Sequence, residues 1–216
     1  MVNFVNKKFI KFYMGSKKIC SFIDAVHACS PKADKFTGDI IEGVVNKINC
    51  SSIITIVSRT IIDLNRPRNS NNKEGIDEYR QTIREILEYF GNLDGSGKLA
   101  RPHLHLAIHG MRDKGNAEIE IGTLHCKTSS PEVTKWLFDE IQEYSKRIQI
   151  DGRFPGDPSK LVHRCGEQTS DLNYLGYGNN FNTFQIEISR TLRENHQKEL
   201  IDMLSGIVDT FSQKFK

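Results

Sequence analysis

Ten consecutive positions, Arg59 to Arg68 in the stretch SRTIIDLNRPRNS, hold three arginines, an aspartate and an asparagine. They follow SSIITIV, a run of β-formers, so they collect where a strand gives way to a loop. A solvated turn needs no such density of guanidinium and amide groups. A site that grips an anion does, because a planar guanidinium forks onto two oxygens at once. Elsewhere His27 and His109 stand at or near two further predicted strand ends, and Glu187 lies in the late run FQIEIS. Two imidazoles and a carboxylate around zinc, with water in the open position and a second carboxylate to take its proton, are the parts of a zinc-dependent amide hydrolase. Asp39 or Glu42, just after the His27 loop, supplies the oxygen ligand in this reading, and Glu187 is the base.

A rival metal site stays open. In PHLHLAIHG (102–110) the residues His103 and His105 are two apart, so both point to one face of a strand, with His109 in phase. An H-x-H pair of this kind is itself a common ligand arrangement. Cys29 lies two residues from His27, but no base and orienting residue can be picked out to make it a nucleophile. It reads as a bystander. His163 and Cys165 have no partner at metal-like spacing and read as loop or core residues.

These groups need elements to hold them. Residues 19–26 read as a buried strand and 37–48 as a helix capped by Thr37, with acids early and apolar residues at helical spacing. A strand is expected over 51–58, continuing through 60–63. Residues 75–91 show a helical stripe from Ile76 to Phe90 that stops at Gly91. Strands follow at 102–110, 117–124 and 181–189, with helices at 130–148, opened by Ser130 and Pro131, and at 192–215. The segments 66–75 and 91–102 are linker-like. The alternation predicts an α/β domain with a mixed, largely parallel sheet and helices on both faces. In such sheets ligands bind at the carboxyl ends of strands, which is where these candidates fall.

The chain has 216 residues, enough for one domain over 1–216 with a full core. Thirty Lys and Arg against 27 Asp and Glu leave a formal charge of +3, which makes no case for a nucleic-acid footprint. Apolar runs are strand-sized, so no membrane span is expected, and the N-terminus lacks the pattern of a signal peptide. Five scattered cysteines without a C-x-x-C pair read as reduced thiols of a cytoplasmic protein.

SRTIIDLNRP resembles the signature of the N-formylglutamate amidohydrolase family, in which a strand ends in Ser-Arg and is followed by Asp-Leu-Asn-Arg-Pro. Other elements resemble the family in the same order. These are DAVHA with the first His, TGDIIEGVVN as an acidic helix start, LAIHGM, IEIGT, the loop GRFPGD, and FNTFQIEISRTLR as the closing Gln-x-Glu strand. They run from about residue 20 to 195. The resemblance implies a three-layer zinc-carboxypeptidase-like fold, related to zinc carboxypeptidases and aspartoacylase-like deacylases. It implies zinc on His27, Asp39 and His109, with Glu42 as the fallback, and Glu187 as general base. Asn65 and Arg66 would hold the carboxylate of a small acidic N-acyl amino acid or peptide-like substrate, and Arg59 would face the oxyanion. The chain departs from the pattern where Pro-His-Ala-Gly reads Val-His-Ala-Cys, where the Asp before the second His is Ala107, and where Gly-Gly is Gly156-Asp157. A carboxypeptidase and a non-catalytic binder of acidic ligands are the alternatives.

Overall fold

The computed structural model describes residues 2–166 and 174–215. Its strands are β1 (Val5–Asn6), β2 (Ile10–Tyr13), β3 (Ser21–Ala25), β4 (Ser51–Thr55), β5 (His103–Met111), β6 (Ile119–Gly122), β7 (Ile148–Ile150) and β8 (Phe181–Ser189). Its helices are α1 (Thr37–Ile48), α2 (Lys73–Phe90), α3 (Pro131–Gln142), α4 (Pro158–Cys165), α5 (Arg190–Asn195) and α6 (Gln197–Lys214). The strands form one sheet in the order β1-β2-β4-β3-β5-β8-β6-β7. Its centre, β4-β3-β5-β8, is parallel, while β2 runs antiparallel to β4 and β6 antiparallel to β8.

Alternation along the strands builds two cores. Leu104, Leu106 and Ile108 of β5 and Phe184, Ile186 and Ile188 of β8 face one side, where α1, α3 and α6 cover them. Burying that many aliphatic side chains is the main stabilising term, at about 25 cal/mol per Å² of apolar surface removed from water. The opposite face carries Phe22, Val26, Ile53 and Phe181 under the apolar stripe of α2, from Ile76 to Phe90. On that second side β5 presents His103 and His105, and β8 presents Thr183, Gln185 and Glu187. The second face is therefore apolar at one end and increasingly polar toward the carboxyl ends of the strands.

Several elements differ from the sequence reading. Helix α1 has the expected bounds, but its cap is Phe36 in the left-handed conformation (φ 72°). Thr37 instead donates its hydroxyl to the carbonyl of Asp34 at 2.7 Å, which ties the preceding loop to the helix. Strand β4 stops at Thr55, and residues 58–62 turn rather than extend. Helix α3 starts where Ser130 and Pro131 predict, with the Ser130 hydroxyl accepting from Val133 N. It ends at Gln142, because residues 148–150 leave to pair with β6. The expected C-terminal helix is two, α5 and α6, separated at His196 (φ −129°).

Candidate active site

Three strand ends and one loop converge on the polar face. His109 of β5 and Glu187 of β8 are register partners in a parallel pair, so their side chains leave the sheet side by side. His27 follows the end of β3 by two residues. The loop after it returns Asp34 to the same spot, where Asp34 N donates to the His27 carbonyl at 2.8 Å. Asp34 Oδ2 then lies 3.4 Å from Nδ1 of His27 and 3.4 Å from Nδ1 of His109. Arg193 of α5 clamps this arrangement from below. It donates to the carbonyls of Ile188 at 3.0 Å, Met111 at 3.3 Å and Lys35, joining the ends of β8 and β5 to the Asp34 loop. Gly110 makes room for it, since a Cβ there would come within 2.4 Å of the Arg193 guanidinium.

His27, Asp34 and His109 are all buried, and their ligand atoms lie within 4.8 Å of one another. Burial alone would lower the pKa of His27, but hydrogen bonds from its ring to Asp34 and Asp63 outweigh it and the net shift is upward. Burial alone would raise Asp34, yet the two imidazoles hold its carboxyl far below the usual range. Glu187 is pushed up, first by burial and further by Asp34, against the opposing pull of His109, Gln185 and His27. Gln185 donates to its Oε1 at 3.0 Å. The donor set suits zinc: two imidazoles and one carboxylate leave an open position. Among the described residues His109 Nε2 is buried with no hydrogen-bond partner, and Asp63 Oδ1 accepts from His27 Nε2 at 2.8 Å. A carboxylate behind a histidine is how a ligating ring is oriented.

The loop after β4 folds over this group. Arg59 donates through Nη1 to His27 Nδ1 at 2.9 Å, through Nη2 to Asp34 Oδ1 at 3.0 Å, and through Nε to the Lys32 carbonyl. In the neutral ring, accepting from the guanidinium at Nδ1 leaves the proton on Nε2, facing Asp63; the protonated ring is the form that Asp34 and Asp63 favour. Asn65 is buried and donates weakly to Gln185 Oε1 at 3.4 Å, with its own Oδ1 unpartnered among the described residues. Arg66 is more exposed, and its Nη1 pairs with Asp157 Oδ2 at 2.9 Å. Together these groups line a cleft of about 520 Å³. Its far wall is the segment Arg153–Asp157, which packs against the end of β6 because Gly122 lacks a Cβ that would strike Gly156 N at 2.5 Å.

The cleft therefore brings together His27, His109, Glu187, Arg59, Asn65 and Arg66. It does not include Asp39. That side chain is exposed in the first turn of α1, while Asp34 occupies the position beside the histidines. Glu42, the fallback, is one turn further on and pairs with Lys11 at 2.6 Å. A signal for Asp34 was available: it is the sole carboxylate between His27 and the helix. Asp63, which orients His27, also had no role assigned from sequence. The H-x-H pair forms no metal site. His105 is buried between Asp24 (2.8 Å), Thr183 (2.8 Å) and the stacked ring of Phe22. Among the described residues the His103 ring has no hydrogen-bond partner, and burial pushes its pKa down to about 3. His163 is a core residue bonded to the Tyr174 hydroxyl at 2.6 Å.

Among solved structures, N-formylglutamate amidohydrolase from Ralstonia eutropha JMP134 superposes with a TM-score of 0.66 at 12% identity, over 95% of this chain and 97% of that one. The chain has the N-formylglutamate amidohydrolase fold. The same fold recurs in a bacteriophage poly-γ-glutamate hydrolase, with a TM-score of 0.56 at 13% identity over 97% of this chain and 92% of that one. It recurs again in a zinc-free apo form of YNDL, at 0.51 and 10% over 95% and 90%. No protein-family model and no curated protein sequence matches the chain. In the N-formylglutamate amidohydrolase fold seen here, the residues that could hold a metal sit at or just past the carboxyl ends of the central parallel strands.

Proposed function

We propose that this cleft hydrolyses the amide bond of a small N-acyl amino acid with a free carboxylate, using zinc held by His27, Asp34 and His109. N-formylglutamate is the model substrate, and the chain is proposed to belong to the N-formylglutamate amidohydrolase family. The observation that carries the reading is the meeting of two imidazoles and a carboxylate with a buried Glu187, its carboxyl pushed above its usual range, in one cleft. Zinc bound there would supply Lewis acidity to the substrate carbonyl and lower the pKa of a water molecule. Glu187 takes a proton from the attacking water as its oxygen bonds the carbonyl carbon. It passes that proton to the amide nitrogen as the C–N bond breaks. Arg59, whose Nη1 would be released from His27 Nδ1 when that atom holds zinc, faces the negative charge that grows on the carbonyl oxygen. Asn65 and Arg66 hold the substrate carboxylate; among the described residues Arg66 Nη2 has no hydrogen-bond partner, so part of its fork is open.

A non-catalytic binder of acidic ligands is the competing reading. Supplying the purified protein with zinc and a panel of N-acyl amino acids separates the two. The proposal expects release of the free amino acid from N-acylglutamates, abolished by a chelator and restored by zinc. Binding without turnover across the panel would contradict it. The scattered free cysteines favour a proposed cytosolic location, and no helix among the described residues is long and apolar enough to cross a membrane.

A further inference from the structure

The guanidinium of Arg66 already faces two carboxylates of its own chain. Nη1 spends both of its hydrogens, one on the Asn65 carbonyl and one on Asp157 Oδ2, each at 2.9 Å. Nε has Asp63 Oδ2 at 3.7 Å. A guanidinium grips a carboxylate as a fork by presenting two nitrogens along one edge. Each edge of Arg66 that includes Nη2 therefore has a resident anion at its other nitrogen. Both residents are held in place. Asp63 Oδ1 is bonded to His27 Nε2 at 2.8 Å and to Asn65 N at 2.9 Å. Asp157 caps α4, where its Oδ1 accepts from Ser159 N at 2.8 Å and Pro158 opens the helix. The Asp157 side chain is 14% exposed, against 56% for Arg66. A carboxylate arriving from solvent thus meets Nη2 with two like charges beside it, and such charges repel. Asp157 is also a point where the chain departs from the resemblance, with Gly156-Asp157 in place of Gly-Gly.

We propose that Asp157 determines specificity as a resident counter-ion: it withholds half of the Arg66 fork, so the cleft takes a ligand carboxylate on Nη2 alone and holds it loosely. The preference for a free carboxylate over a neutral amide is narrowed by the same contact. The freed amino acid keeps that carboxylate, so its release is eased as well. Uniform binding of a group whose charge never changes does not speed the chemical step, and a loose grip there costs affinity without costing kcat. The inference rests on the reading that Arg66 receives the substrate carboxylate.

Binding separates this inference from turnover. The zinc-supplemented chain carrying Glu187→Gln is titrated with N-formylglutamate and with the same compound in which the α-carboxylate is a primary amide. Asp157→Asn is then added, which removes the charge but keeps the cap, since Asn serves at that position as well as Asp. Far-UV circular dichroism checks that the fold persists. N-formylglutamate should bind roughly two- to fivefold tighter in Asp157→Asn, the scale of one exposed charge interaction, and added salt should shrink the gain. The amidated compound should bind as before. Adding Arg66→Ala should erase the gain, because the two residues act on one contact. Unchanged or weaker binding of N-formylglutamate in Asp157→Asn would make Asp157 a support for Arg66 and overturn the inference. A gain that survives Arg66→Ala, or no binding of either compound, overturns it too. A gain that depends on Arg66, with no hydrolysis by the wild type, would leave the inference standing and overturn the proposed amide hydrolysis.

Discussion

Glu187 carries a conflict that the proposed role requires. Its carboxyl is buried beside Asp34, which disfavours the charged form, while only that form can accept a proton from water. In the zinc-free protein it should titrate above the usual 4.5, as carboxyl-carbon NMR would show, and zinc loading should bring it down. A carboxyl with a raised folded pKa contributes stability at low pH and loses it as pH rises through that value. Glu187→Gln should therefore raise the Tm of the zinc-free protein at pH 7, keep its zinc, and cut kcat by ~10²–10⁴. A variant that loses zinc would mark Glu187 as a ligand instead. The two arginines should separate by kinetics. In the proposed reaction Arg66 meets a carboxylate whose charge persists throughout, which is nearly uniform binding, so Arg66→Lys should raise KM more than it lowers kcat. Arg59 is proposed to face charge that is complete only in the transition state, so Arg59→Ala should lower kcat by about 10²–10³ with a smaller change in KM. Steady-state kinetics on an N-acylglutamate with and without its α-carboxylate amidated checks both. Equal turnover of the two substrates would leave Arg66 as a structural partner of Asp157.

At the scale of elements, a clamp and a buried pair support the site without touching substrate. Arg193 joins the ends of β5 and β8 to the loop that carries Asp34. Arg193→Met keeps the bulk and removes those bonds, so zinc affinity should fall ~10–100-fold, as for other supports behind metal ligands. Unchanged affinity in a zinc titration would make the clamp irrelevant to the metal. Deeper in the same layer, Asp24 accepts from the Tyr79 hydroxyl and meets His105 at 2.8 Å, with the Lys160 ammonium 3.9 Å away. Burial would raise the Asp24 pKa, but Lys160 and His105 depress it far below 3.8, so its contribution is present above that value and is lost as pH falls below it. Asp24→Ala leaves a buried ammonium unpaired and should cost about 3–5 kcal/mol in denaturant unfolding at pH 7. Much of this layer was legible in the sequence. The β5 alternation put leucines on one face and histidines on the other, and α1, α2 and β8 fall within a few residues of their expected bounds. What misled was locality. Asp39, on the helix just after the His27 loop, reads as the oxygen ligand, whereas the acid that stands beside both histidines, Asp34, sits on a loop whose path depends on bonds to His27 and Thr37. The H-x-H pair fails for a similar reason: side-chain phase says that two histidines share a face, but not that α2 and Asp24 bury that face.

For the molecule as a whole, the sheet order puts the ends of β3, β5 and β8 side by side, and loops after β4 and β7 close a cleft over them. Ligands of open α/β sheets bind at that edge, so the fold and the candidate chemistry point to one place. Zinc that binds only the folded chain should raise its Tm, by the equivalent of ~2.7 kcal/mol at a hundred times Kd. The central claim, a zinc centre built on His27, Asp34 and His109, is tested most directly by the zinc content of purified wild type, Asp34→Ala and Asp39→Ala, each checked for an intact fold. About one zinc per chain is expected in the wild type and in Asp39→Ala, and little in Asp34→Ala. A wild type that takes up no zinc, or an Asp34→Ala variant that keeps it while Asp39→Ala loses it, would contradict a zinc centre on these three residues.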